Sequence, residues 1–99
     1  MYFAIIGEDA PNSLPLRLDA RPAHLARLET LNAEGRLLLA GPFPRATPEA
    51  PEAPGFSGSL IVADFPTLAE CQAWADADPY VLAGVYARVA IQPFKKVLP

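Results

Sequence analysis

The stretch Gly58–Pro93, GSLIVADFPTLAECQAWADADPYVLAGVYARVAIQP, decides the fold. It opens with Gly58–Phe65, a run rich in β-branched and aromatic residues that predicts a strand. Thr67 and Glu70 then form a T-x-x-E capping box for a helix over about Leu68–Asp76. Asp78–Pro79 ends that helix, because a residue before proline is pushed out of the helical region. Pro79–Ala83 allows one further turn, closed by Gly84, and Val85–Pro93 alternates as a strand should. This half of the chain is strand, helix, strand.

The same unit recurs upstream. Tyr2–Gly7 is a short aromatic and β-branched run, followed by the turn formers Asp9, Pro11, Asn12 and Ser13. Ser13 with Pro15 predicts one short turn. Asp19 is then the expected N-cap of the main helix, with Pro22 in its first turn, where a missing N–H costs little. Leu25, Leu28 and Leu31 follow at helical spacing, and Gly35 stands where a C′ glycine is expected. Arg36–Pro42 is the second strand. Between the halves, Pro42–Pro54 holds five prolines and is expected to be a long exposed loop without regular structure. The order is therefore βαββαβ in a single domain over residues 1–99. That order predicts an α+β, ferredoxin-like fold, a four-stranded antiparallel sheet with two helices on one face.

The opposite face of the sheet bears on the oligomer. A sheet with one wet face should alternate apolar and polar residues. Phe3–Ile6, Leu37–Leu39 and Leu60–Ala63 do not; only the last strand does, with Val85, Ala87, Val89 and Ile91 set against Tyr86, Arg88, Ala90 and Gln92. The chain is 52% hydrophobic and 19% charged, apolar for its 99 residues. A homodimer formed sheet to sheet is the expected cover.

Composition excludes several classes. The net charge is −3 and the only basic pair is Lys95–Lys96, so no nucleic-acid footprint is expected. The start lacks a basic leader and no run approaches a membrane span, so the expected location is cytoplasmic, without membrane association. Cys71 is the only cysteine and shares a helical face with Leu68 and Ala75, which points to packing. One histidine and one buried cysteine do not make an ordinary zinc site, and no glycine-rich loop precedes a helix, so neither metal nor cofactor is expected. Gly55–Ser59 is a glycine turn entering a strand and not a nucleophile elbow, whose second glycine would fall one position later and be followed by a helix. Trp74, Tyr80 and Tyr86 are candidates for a pocket wall, though core or interface packing accounts for them as well.

His24 is the only histidine. Arg21, His24, Leu28 and Leu31 fall on one helical stripe, so the apolar face of the first helix runs N-terminally into a histidine and an arginine. In βαββαβ order the two helices are antiparallel, which brings the start of the first beside the end of the second. His24, about one turn into helix one, should thus meet Asp78, just past helix two and 54 residues later. An aspartate there can orient the imidazole, fix its tautomer and stabilise the imidazolium, the minimum apparatus for moving a proton near neutral pH. Each residue also has a plainer reading: His24 as a satisfied structural residue, Asp78 as a helix stop, Arg21 as a solvated cation instead of an anchor for a substrate carboxylate.

Arg21-Pro22-Ala23-His24-Leu25, Gly35-Arg36-Leu37-Leu38, Ala40-Gly41-Pro42, Gly55-Phe56 with Gly58-Ser59, and Trp74–Tyr80 followed by Ala83–Tyr86 occur together in this order. With these segments the chain resembles the YciI-like proteins of the YCII-related domain family over essentially its whole length. The resemblance implies a dimeric α+β barrel and an active site centred on a histidine and an aspartate, here His24 and Asp78. It implies no particular reaction, since the same fold hosts unrelated chemistries. The reading is a small-molecule enzyme with a His24–Asp78 acid–base dyad, of lyase, isomerase or hydrolytic type, with Arg21 binding substrate. The alternatives are a non-catalytic ligand-binding or accessory dimeric module, and an interaction protein working through its proline-rich loop.

Overall fold

The computed structural model describes all 99 residues. The elements are β1 (Tyr2–Asp9), α1 (Leu14–Ala33), β2 (Leu37–Pro44), β3 (Phe56–Asp64), α2 (Leu68–Asp76), the four-residue α3 (Pro79–Leu82) and β4 (Tyr86–Phe94). The strands form one antiparallel sheet in the order β2-β3-β1-β4, the ferredoxin-like arrangement.

Register sorts the side chains. Phe3 faces Ala63 across the β1–β3 pair and Ile5 faces Ile61, so these four share one surface. That surface meets Leu28 and Leu31 of α1 and Cys71 and Ala75 of α2 in one cluster, which puts both helices on the same side. The cap of α2 is made by Thr67, whose hydroxyl accepts the Glu70 backbone N–H at 3.1 Å. Gly58 packs so closely on β1 that a Cβ there would stand 2.0 Å from the Gly7 carbonyl oxygen, so the residue must be glycine.

Three expectations need correction. Asp19 is exposed and caps nothing: α1 starts at Leu14 with Ser13 as its N-cap and runs through Pro22. Tertiary contacts extend the helix, since Arg17 in its first turn is buried and tied to β1 and β3. Pro22 lies on the exposed side, where the forfeited bond to the Leu18 carbonyl can go to water. Second, β2 continues into the proline segment as far as Pro44, with Pro42 opposite Ser59 and Pro44 opposite Phe56. It can do so because β2 is an edge strand, where a missing N–H need not break a ladder. Third, Tyr86 does not lie opposite Val89. The register of β4 slips between Glu8 and Asp9, and this bulge turns Tyr86 to the helix side, where its ring occupies the space beside Gly7.

The other surface of the sheet is left open. Leu39 is 47% exposed and Phe43 40% exposed, both on the face turned away from Ile61. No helix is long and apolar enough to cross a membrane.

Candidate active site

Asp78 is the N-cap of α3. Its carboxylate accepts the Tyr80 backbone N–H at 2.8 Å, which fixes the group on the Asp–Pro bend. The same Oδ1 meets His24 Nδ1 at 2.8 Å, and Oδ2 is 3.1 Å from that nitrogen. Antiparallel packing of the helical layer brings the two together, although His24 lies ten residues beyond Leu14 instead of one turn in. Both side chains are almost wholly buried. Nδ1 therefore donates to the carboxylate, which leaves Nε2 as the basic nitrogen. Nε2 has no partner within the protein, and the only sealed, unpartnered polar side-chain atom of the chain is Arg27 Nη1. Nε2 thus opens on a cleft.

That cleft has a volume of about 460 Å³. Its polar lining comes from Arg17, Arg21, His24, Ser59 and Tyr80, and its apolar walls include Leu25, Leu28, Phe56 and Ile61. Arg21 is exposed and stands on this wall, free of any ion pair. A cavity of this size with a few convergent polar groups suits a small ring compound.

A second charged pair lies behind the first. Arg17 donates from Nε to Asp9 Oδ2 at 2.9 Å and from Nη2 to Asp9 Oδ1 at 2.7 Å, and Nη2 also reaches Ser59 Oγ at 2.8 Å. Both side chains are at most 5% exposed. Burial works against the Arg17 charge, but the bond and the charge of Asp9 outweigh it and hold the guanidinium above its ordinary value. The guanidinium lies 4.7 Å from the Tyr80 ring centroid and 5.2 Å from that of Phe56. Burial raises the phenols of Tyr80 and Tyr86, so both stay protonated through the physiological range. Burial also pushes the Cys71 thiol up to about 11, leaving it a packing residue.

Arg17 and Ser59 were not singled out from the sequence and Asp9 was read only as a turn former; of the three aromatic candidates for a pocket wall, Tyr80 alone lines the cleft. Arg17 precedes His24 by seven residues, two helical turns on the same stripe, so a signal existed. Placing the cap at Asp19 cut that stripe short. Trp74 lies against Phe65 and Arg27 and does not reach the cleft. No cluster of three or more His, Cys, Asp or Glu side chains with metal-ligand spacing occurs.

Known proteins resemble this chain over nearly its whole length. The YCII-related domain model matches residues 1–95. Protein YciI of Escherichia coli O6:H1 is 56% identical over 97 residues, 98% of this chain and 99% of that one. An uncharacterised protein of Haemophilus influenzae is 53% identical over the same span. Among solved structures, 5-chloro-2-hydroxyhydroquinone dehydrochlorinase (TftG) from Burkholderia phenoliruptrix AC1100, in complex with 2,5-dihydroxybenzoquinone, is similar at 30% identity with a TM-score of 0.83, covering 96% of this chain and 94% of that one.

Proposed function

The chain belongs to the YCII-related domain family, and from that premise we propose that it is a small-molecule enzyme in which His24 moves a proton and Asp78 orients it. One observation carries the reading: a buried Nδ1–carboxylate contact of 2.8 Å leaves Nε2 as the only group of the pair open to the cleft. Unprotonated, Nε2 takes a proton from a substrate C–H or O–H. The carboxylate beside Nδ1 stabilises the imidazolium that results, and the same nitrogen then returns the proton. Lyase, isomerase and hydrolytic steps can all use this exchange.

The substrate is proposed to be a small planar ring bearing hydroxyl, carbonyl or carboxylate oxygens. Leu25, Phe56 and Ile61 cover its faces, and Arg21 holds an anionic oxygen at the mouth. The dehydrochlorinase with its bound dihydroxybenzoquinone supports a ligand of that shape. The test is a panel of such compounds, with 2,5-dihydroxybenzoquinone first, titrated into the protein and followed by NMR. Expected are shifts confined to His24, Leu25 and their neighbours, and binding weakened about ten-fold or more in Arg21→Met. A panel that leaves the His24 ring signals unmoved sinks the reading.

We further propose that the working form is a homodimer covering the open sheet face. A monomer of this mass exposes about 5,500 Å², whereas this chain exposes 6209 Å². The excess is close to the roughly 800 Å² that each partner buries in an ordinary stable interface. Sedimentation at micromolar concentration is expected to give twice the 10.6 kDa chain mass. Leu39→Glu should shift the species toward monomer; a monomeric wild type would refute the dimer.

A further inference from the structure

The Tyr80 ring lies face to face on the His24 imidazole, with centroids 3.8 Å apart and planes 9° from parallel. We propose that Tyr80 is the positioning residue of the dyad, its ring fixing the imidazole plane so that Nε2 stays aimed into the cleft. The carboxylate holds only Nδ1, and a ring held at one atom can still tilt about that contact. A flat surface against one face removes the tilt, and holding a reactive group in one orientation lowers the entropic part of a barrier. Tyr80 also supplies the backbone N–H that fixes the Asp78 carboxylate, so one residue locates both members of the pair.

The surface that Tyr80 offers is itself braced. The Arg17 guanidinium lies over the same ring at 4.7 Å from its centroid, and Arg17 is anchored by two bonds to Asp9 and one to Ser59. Tyr86 packs against it in a T-shaped pair, with centroids 5.6 Å apart and planes at 87°. Tyr86 in turn fills the space left by the missing side chain of Gly7, where a Cβ would come within 2.6 Å of its ring. The chain of contacts thus runs from the end of β1 through α1 and the β4 bulge to the imidazole. The phenol hydroxyl plays no part in this role; the aromatic plane does.

The role rests on the reading of His24 and Asp78 as a proton-handling pair, but the clamp can be tested without a substrate. In wild-type protein the His24 carbon-bound ring protons should resonate upfield of free histidine, shielded by the stacked ring, with cross-relaxation to Tyr80 ring protons. Tyr80→Phe should keep the shielding and Tyr80→Leu should lose it while the His24–Asp78 bond persists. Once a substrate is known, Tyr80→Leu should lower kcat roughly 10²-fold with KM little changed, and Tyr80→Phe should restore it. Wild-type His24 signals at free-histidine positions would overturn the proposal even if Tyr80→Leu does not fold. So would a folded Tyr80→Leu that keeps the shielding. Full turnover in Tyr80→Leu alongside loss in His24→Ala would remove the clamp yet leave the dyad standing.

Discussion

His24→Ala lowers turnover by about 10²- to 10⁴-fold, the usual contribution of a positioned acid–base group, once a substrate of this cleft is in hand. Asp78→Asn falls in the same range for a different reason. The amide can accept the Tyr80 N–H as the carboxylate does, so α3 keeps its cap, but it no longer stabilises an imidazolium. It can also donate to Nδ1, which favours the tautomer with the proton on Nε2, the wrong nitrogen for a base facing the cleft. KM should move little in either variant, because neither side chain is the proposed anchor for substrate. Steady-state kinetics with folding monitored in parallel checks both. Full activity in His24→Ala would end the acid–base reading, whatever the pocket binds.

Arg17→Leu destabilises the protein by about 3–5 kcal/mol, because it strands the Asp9 carboxylate without its cation in a site only 3% exposed. Against a total stability of about 5–15 kcal/mol for a domain, that is enough to leave the variant marginal. The loss comes mainly from the unpaired charge and not from the absence of the pair. Arg17→Leu combined with Asp9→Leu should therefore be less destabilised than Arg17→Leu alone, a non-additivity expected of partners in contact. Urea unfolding of the two single variants and the double variant decides the point. A double variant that loses the sum of the single losses would show that Arg17 and Asp9 act independently. The same series reads the clamp, since losing Arg17 also removes the cation packed on the Tyr80 ring.

Much of this fold was legible because its signals are local. The Thr67–Glu70 cap, the Asp78–Pro79 break and Gly84 act within a few residues of themselves, and α2 ends where they place it. Gly35 has the positive φ of 72° expected of a residue after a helix. The three errors share the opposite character. The start of α1 depends on where Arg17 is held, the end of β2 on its being an edge strand, and the direction of Tyr86 on a bulge against β1. Each is set by a partner distant in the chain, and no window of neighbouring residues contains that partner.

The sequence alone determined the order of strands and helices, and with it the meeting of His24 and Asp78 at one end of the helical layer. Periodicity and caps are short-range, and right-handed crossovers prune βαββαβ order to a handful of arrangements, of which the ferredoxin-like one is a recurring motif. Only the tertiary structure decided that Arg17 is a buried, doubly anchored cation, that the Tyr80 ring meets both it and the imidazole, and that Arg21 stays exposed on the cleft wall. Those assignments depend on register and burial. A one-residue slip in a strand exchanges the side chains that face inward for those that face water, and six more residues at the start of α1 carry its inward stripe back to Arg17.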